Sequence, residues 1–377
     1  MSQYYIGLMS GTSLDGVDGV IADFSAGAPA LVRASASLPF DASFKAELLA
    51  LNTTGPDELH RAALAANQLA EVYARVVEHL LQEAASQGIR RQDIVAVGAH
   101  GQTVRHRPQE FGTGYTLQLN NPALLAERAH IDVIADFRNA DVAAGGQGAP
   151  LVPAFHAALW ADASQARAVL NIGGISNLSL LPASGRVLGF DCGPGNALMD
   201  FWCQRHTGQP YDNAGTWAAS GQPHPALLAR LLSAPYFQRQ PPKSTGRDLF
   251  NPNWLSEQLQ GFESVAPVDV QASLTALTAQ ACARDLQQHL PAAAQLLVCG
   301  GGALNTELMR QLALALPGVQ VTSTAARGLP PLQVEAAAFA WLAQAFTHGQ
   351  PGNLVAVTGA KGPRVLGALY KAPPAPH

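Results

Sequence analysis

A hydrophobic strand that runs straight into a glycine turn bearing a hydroxyl occurs twice in this chain of 377 residues. The first copy is Ile6-Gly7-Leu8-Met9-Ser10-Gly11-Thr12, and the second is Asn171-Ile172-Gly173-Gly174-Ile175-Ser176-Asn177. Two more short extended runs follow each copy: Gly19–Phe24 and Ala30–Phe40 after the first, Leu178–Leu181 and Val187–Phe190 after the second. Three short strands joined by tight turns form an antiparallel meander. Helical patterns follow both meanders, so the chain reads as two similar halves in a two-lobed α/β fold with a cleft between the lobes. The competing reading is a coincidence between two glycine turns, and the repeat alone does not decide between them.

Elsewhere the apolar periodicity supplies the remaining elements. Thr54 starts a helix whose face of Leu59, Ala63, Ala66, Ala70, Tyr73, Val77 and Leu80 runs to Gly88. Ile94–Val97, Tyr115–Leu119 and Ile131–Ala135 read as strands, the last two bracketing a helix. Further helices are expected near Asn196–His206, Ser273–Leu290, Ala303–Leu314 and Gln333–Phe346, with strands at Leu296–Cys299 and Val319–Thr322. The stretch from Asp136 to Pro150 has no periodicity and reads as a domain crossing or a binding loop.

Hydrophobic residues make up 48% and charged residues 13%, ample apolar surface for a core and too much for a disordered chain. With 23 basic and 27 acidic residues, net −4, no field exists to hold nucleic acid or an anionic membrane surface. No apolar run is long enough for a membrane span, and Met1 leads within a few residues into a strand, so no leader is expected. Cys192, Cys203, Cys282 and Cys299 lack paired spacing, which disfavours a zinc site or a disulfide scaffold and fits a reducing cytoplasm. A soluble enzyme or ligand-binding protein is expected.

Three segments carry chemistry. Ser10-Gly11-Thr12-Ser13-Leu14-Asp15-Gly16-Val17-Asp18 concentrates backbone N–H groups and hydroxyls in one turn, which suits phosphate oxygens. It lacks the spacing of a P-loop and no helix follows it. Cys299-Gly300-Gly301-Gly302-Ala303-Leu304-Asn305 removes three β-carbons where a strand opens into a helix, room for a nucleotide or simply a tight connection. Phe190-Asp191-Cys192-Gly193-Pro194-Gly195-Asn196 sets an aspartate at the end of an apolar strand. That carboxylate reads either as a general base or as a cap on the next helix. His100, Gln102, Asp136, Arg138, Lys243, Arg247 and Glu335 are polar residues in apolar or glycine-rich surroundings; Lys243-Ser244-Thr245-Gly246-Arg247 reads as a solvated basic loop. No grouping has metal-cage spacing, and the metal ligands stay unknown.

Taken in order, these segments, with Gly98-Ala99-His100-Gly101-Gln102-Thr103, Asp136-Phe137-Arg138 and Gly146-Gln147-Gly148-Ala149-Pro150-Leu151-Val152-Pro153, resemble the anhydro-N-acetylmuramic acid kinases over nearly the whole chain. That family is a branch of the superfamily of sugar kinases, actin and the Hsp70 ATPase. The resemblance implies an α/β, two-lobed, actin-like ATPase (ribonuclease H-like) fold with a duplicated β-meander plus helices and an interlobe cleft. The first lobe would be residues 1–140 with 345–377 and the second 141–344.

It further implies ATP and Mg²⁺ as cofactors, a small sugar as substrate, no nucleic-acid or membrane partner, and a cytoplasmic homodimer. Asp191 would be the catalytic base. The ATP site would comprise Ser10, Gly11, Thr12, Ser13, Asp15, Gly16, Val17 and Asp18 in one lobe. Gly173, Gly174, Ser176, Asn177, Gly300, Gly301, Gly302 and Asn305 would complete it in the other. His100, Gln102, Asp136, Arg138 and Glu335 would bind the sugar. The acid that the superfamily carries before the first Gly-Thr is Met9 here, leaving Asp15 or Asp18 to organise magnesium; Cys192 stands where the family often has Thr. Two rivals remain: an ATP-gated binding protein, and an ordinary hexose kinase in which Asp191 deprotonates a hydroxyl.

Overall fold

The computed structural model describes residues 3–11, 13–25, 31–246 and 248–374. It divides into two compact units, Met1–Phe155 with Gln333–His377, and His156–Leu332.

Unit 1 is built on β1 (Tyr4–Met9), β2 (Gly16–Asp23), β3 (Leu31–Pro39), β4 (Ile94–Ala99), β7 (Val133–Ala135) and β13 (Ala368–Tyr370). They form one sheet in the order β13-β7-β4-β1-β2-β3. The β1–β2–β3 meander is antiparallel, while β4 lies parallel to β1 and β7 parallel to β4. Tyr5, Ile6 and Leu8 of β1 are all buried. This near-continuous apolar run marks a central strand covered on both faces. One face packs on the helix Glu58–Ala84 through Leu69, Tyr73, Val76, Val77 and Leu80. The helix Val334–Thr347 lies against β1 and β4 so closely that a β-carbon on Gly7 would overlap the Ala336 carbonyl, and one on Gly98 that of Phe339. β5 (Gln102–Arg107) and β6 (Tyr115–Leu119) make a separate hairpin.

Unit 2 repeats the plan. β8 (Ala166–Ile172), β9 (Ile175–Leu181), β10 (Leu188–Pro194), β11 (Ala293–Cys299) and β12 (Gln320–Ser323) form a sheet in the order β10-β9-β8-β11-β12. Again the first three strands are an antiparallel meander and the last two join in parallel. Five strands of unit 1, in the order β3-β2-β1-β4-β7, match it strand for strand. The duplication expected from the two glycine turns is therefore real, and each unit has the ribonuclease H-like order. Alternate residues of these strands (Leu170, Ile172, Leu178, Leu180, Phe190, Cys192) join a core with the helices Ala197–Thr207 and Pro267–His289. Among the described residues no helix is long and apolar enough to cross a membrane. All four cysteines are buried, and none is in a disulfide.

Several elements differ from the sequence expectation. The long helix begins at Glu58 rather than Thr54, after Asp57 in a left-handed conformation, and an unanticipated helix Ala42–Ala50 is capped by Asp41, which accepts the Phe44 N–H at 2.7 Å. Strand β5 was not anticipated either. The units divide at residues 155 and 332, whereas the sequence placed the limits near 140 and 345.

At the second limit the helix Val334–Thr347 packs on β1 and β4 of unit 1; at the first the cause is Asp141, fully buried on the short helix Asn139–Ala143. Its carboxylate accepts from Asn353 Nδ2 (2.6 Å), Thr358 Oγ1 (2.7 Å) and the Gly148 N–H (2.8 Å), tying the 139–150 segment to the C-terminal part of the chain. Removing it strips the Gly148 N–H of its acceptor and leaves Asn353 and Thr358 only long contacts, 3.4 Å each, to the Gly362 and Leu354 carbonyls. Asp141→Ala is therefore expected to destabilise unit 1 by about 3–5 kcal/mol. A urea unfolding midpoint equal to that of the parent would refute this role.

Candidate active site

In unit 2, the strand register sets out a row of polar side chains. Asn171 of β8 pairs with Asn177 of β9, and Asn177 pairs with Asp191 of β10. Laterally paired residues share a face of the sheet, and alternation puts this row on the face opposite Leu170, Ile172, Leu178 and Phe190. The register slips between Asp191 and Gly193, a bulge of the kind that re-aims side chains beside active sites.

Asp191 is half-buried. Its Oδ2 accepts the Thr245 N–H at 3.0 Å, while Oδ1 has no hydrogen-bond partner among the described residues. The backbone is held as well: the Asp191 N–H donates to the Lys243 carbonyl (3.1 Å), and Tyr236 Oη donates to the Asp191 carbonyl (2.8 Å). Burial pushes the carboxyl up to about 6, against the opposing pull of the Thr245 N–H and the Lys243 charge. Such a group is ionised at neutral pH yet close to the range that suits a general base. The helix-cap alternative does not hold, because the cap position of the helix Ala197–Thr207 is Asn196, whose Nδ2 donates to the Ile172 carbonyl.

Its neighbours sort by geometry. The Gly173 and Gly174 carbonyls accept the N–H groups of Asn196 (2.7 Å) and Gly195 (2.9 Å), bracing the turn between β8 and β9. Ser176, one residue from Asn177, points to the other face. It is fully buried, donates to the Gly193 carbonyl (3.1 Å) and sits 3.4 Å from Cys282 Sγ, so alternation removes it from the polar row. A β-carbon on Gly300 would meet the Ile172 carbonyl at 2.6 Å, and one on Gly302 would overlap the Ile172 side chain. Only Gly301 faces free space, with Asn196 Nδ2 at 3.4 Å. Asn305 is spent as the cap of the helix Thr306–Ala315, accepting the Leu308 N–H at 3.0 Å.

In unit 1, the Ser10–Asp18 turn is braced from below. Ser10 is buried, donates to the Gly101 carbonyl (3.1 Å) and lies 3.2 Å from Tyr73 Oη, which accepts the Gly101 N–H. Gln102 Nε2 donates to the Gly11 carbonyl at 3.2 Å, and its buried Oε1 has no partner among the described residues. Thr12 lies outside the described residues. Ser13 is exposed, Val17 is in the core, and Gly16 packs against the Leu38 carbonyl of β3. Asp15 and Asp18 separate clearly. Asp15 turns to solvent and pairs with Lys45 (2.9 Å), whereas Asp18, which accepts from Ser37 Oγ, also acts on Glu335.

Glu335 and Arg138 complete this cluster. Burial first, and Asp18 second, push the Glu335 carboxyl up, opposed by Arg138. Arg138 donates through Nε (3.0 Å) and Nη2 (2.8 Å) to His100 Nε2, and through Nη1 to the Gly148 carbonyl (2.8 Å). Burial lowers the Arg138 guanidinium to about 10, so it stays charged. Burial and that adjacent cation hold His100 far below the usual imidazole range, as a neutral acceptor. Asp136 stands apart: it is exposed, in a left-handed conformation, and accepts from Asn139 Nδ2 (2.8 Å).

Sequence reasoning missed Tyr73, Tyr236 and Thr245, and misjudged Lys243. Lys243 is not on a solvated loop: it is buried, with Nζ 2.9 Å from both Asp285 oxygens and its charge over the Phe190 and Tyr236 rings. The only available signal was a lysine followed by Ser-Thr-Gly; its partner lies far along the chain. Arg247 lies outside the described residues. Among the described residues, no group of three or more His, Cys, Asp or Glu is placed to hold a metal.

A family model described as anhydro-N-acetylmuramic acid kinase matches residues 3–372. The chain is 63% identical over 376 residues to the anhydro-N-acetylmuramic acid kinase of Variovorax paradoxus (strain S110), covering 98% of this chain and 99% of that protein. It is 58% identical to the one from Albidiferax ferrireducens (99% and 100% covered) and 56% identical to the one from Cupriavidus metallidurans (98% and 98%).

The triple-glycine turn yields a test of its geometry. Gly302→Val is expected to cost unit 2 about 1–3 kcal/mol by overpacking against Ile172, while Gly301→Val leaves stability within about 0.5 kcal/mol of the parent. Equal unfolding midpoints for the two variants would contradict the packing described.

Proposed function

Since the chain belongs to the anhydro-N-acetylmuramic acid kinase family, whose reaction is an ATP-dependent phosphorylation in cell-wall recycling, we propose that Asp191 is its general base. In a 1,6-anhydro sugar, O6 is tied to C1, so no free 6-hydroxyl exists to accept a phosphoryl group. Ring opening and phosphoryl transfer are therefore coupled. Water adds to C1 as the C1–O6 bond breaks, O6 takes up the γ-phosphoryl group, and the bond from the γ-phosphorus to the bridging oxygen of ADP breaks. The water's proton passes to Asp191, and the products are N-acetylmuramic acid 6-phosphate and ADP. Charge at C1 has oxocarbenium character, as in glycoside hydrolysis.

The observation that supports this reading is the state of one carboxylate. Asp191 has Oδ2 engaged by an N–H, Oδ1 without a partner among the described residues, and its pKa raised to about 6 by burial. In unit 1, the Gly11 turn offers N–H groups to phosphate oxygens, while Gln102, Arg138 and Glu335 contact the sugar. His100 acts there mainly by holding Arg138 in place. Gly173, Gly174, Asn177 and Gly301 are retained for the nucleotide in unit 2; Ser176 and Asn305 are not, because their side chains are committed elsewhere.

Magnesium fits these residues sparingly. It is bound through one or two carboxylates plus substrate phosphates and water, and when bound it neutralises charge on the phosphates. Asp18 is the residue that would hold it, since Asp15 is paired with Lys45. A cytoplasmic homodimer belongs to the same reading, and four cysteines outside any disulfide fit a reducing compartment.

Asp191→Asn is expected to lower sugar-dependent turnover by about 10²–10⁴-fold. A raised folded-state pKa means that ionising Asp191 costs stability as the pH rises through about 6. The amide should therefore unfold no earlier than the parent at pH 8, which separates lost chemistry from lost fold. For the parent enzyme, kcat/KM should fall about tenfold per pH unit below about 6. In ¹⁸O-labelled water the label should enter at C1; an unlabelled product would instead support simple transfer to a hydroxyl.

A further inference from the structure

We propose that Lys243, anchored on Asp285, is a positioning residue for the Asp191 carboxylate; this rests on the reading of Asp191 as the base. Lys243 and Asp191 meet through the backbone, where the Asp191 N–H donates to the Lys243 carbonyl at 3.1 Å. Two residues further on, the Thr245 N–H grips Asp191 Oδ2. The segment 243–245 is therefore a clamp that holds one oxygen of the base and leaves the other for water.

What fixes the clamp is the Lys243 side chain. It passes between the rings of Phe190 (5.6 Å) and Tyr236 (5.3 Å) and ends 2.9 Å from both oxygens of Asp285 on the helix Pro267–His289. Tyr236 adds a second tie by donating to the Asp191 carbonyl. A buried ammonium in a buried bidentate pair is a costly way to hold a loop, since replacing such pairs with apolar groups is often neutral or stabilising. Its placement beside the carboxylate is accounted for by what it does for Asp191. It fixes the direction of Oδ1, and its charge favours the ionised form that accepts a proton.

Other titratable groups surround the site. Tyr236 is raised by burial, and so is Cys192 of β10, which lies beside Cys282. Asp285 and His289 lie on the helix behind, with His289 lowered by burial. Lys243 acts on Asp285 and His289 as well as on Asp191, but only Asp191 is held by the Thr245 N–H, so the acid limb of kcat/KM is assigned to Asp191.

The test compares Lys243→Met, Lys243→Arg and the double variant Lys243→Met/Asp285→Leu. The double variant removes the pair without stranding a buried carboxylate and keeps the experiment valid if the single variant fails to fold. In the folded Met variants the acid limb of kcat/KM is expected to move up by about half a pH unit or more, and kcat at pH 8 to fall about tenfold or more, with the KM for ATP unchanged. Lys243→Arg should recover part of both effects. A folded double variant with the parent's acid limb and kcat overturns the positioning role. That result is separable from failure of the base assignment, which Asp191→Asn reads alone: an inactive Asp191→Asn beside a fully active double variant leaves the base standing and removes the clamp.

Discussion

A carboxylate taken half out of water, with one oxygen hydrogen-bonded and the other without a partner among the described residues, is the constraint on which the proposed chemistry of unit 2 depends. Burial alone would push Asp191 to the neutral form and make it useless as a proton acceptor. The Thr245 N–H and the Lys243 cation pull the other way, and the balance leaves the group close to neutrality at about 6. Neither donor lies near Asp191 in sequence. Each is delivered by a segment whose own position depends on Tyr236, Phe190 and Asp285, so the packing of distant parts of the chain sets the proton affinity of one side chain.

The duplicated fold explains how such a group can be held firmly. β10 is the edge strand of its sheet, held by β9 on one side and by the 243–245 segment on the other, so Asp191, midway along it, is fixed without being fully buried. In unit 2 this places Asn171, Asn177 and Asp191 in one lateral row. In unit 1 the equivalent turn after β1 is supported by Tyr73, Ser10, Gly101 and Gln102, reaching it from a helix and from the segment after β4. The same architecture thus supports its first glycine turn with side chains and its second with the backbone of the following helix.

What was legible in the sequence was local. Glycine turns after apolar strands, the meanders and the long helices declare themselves by spacing, and the joint pattern of motifs carried the family. The period-two rule could also have separated Ser176 from Asn177 and assigned them opposite faces, since it needs only a strand at Ile175–Leu181. The ion pair of Lys243 with Asp285 and the tie from Asp141 to Asn353 and Thr358 were not legible. Each joins residues far apart in the chain, and a lone lysine or aspartate carries no local mark of its partner. The domain limits were misplaced for that reason: the aperiodic stretch 136–150 looked like a crossing, yet Asp141 binds it into unit 1.

The choice between Asp15 and Asp18 shows where local reading stops and structure begins. Both follow the first glycine turn, both are exposed, and composition treats them alike. On the pleated strand their neighbours differ: Asp15 precedes β2 and meets Lys45, while Asp18 lies within β2 opposite Ser37 and acts on Glu335. A carboxylate already paired with an ammonium has part of its charge neutralised and its geometry set by that partner. A carboxylate that instead raises the pKa of a second acid adds to a local excess of negative charge, which a divalent cation relieves. Unit 1 places that excess at Asp18 and Glu335, with Arg138 as the compensating cation among the residues described. In the proposed reading, the acid missing at Met9 is replaced from within the same unit, by side chains carried on β2 and on the first turn of the helix Val334–Thr347.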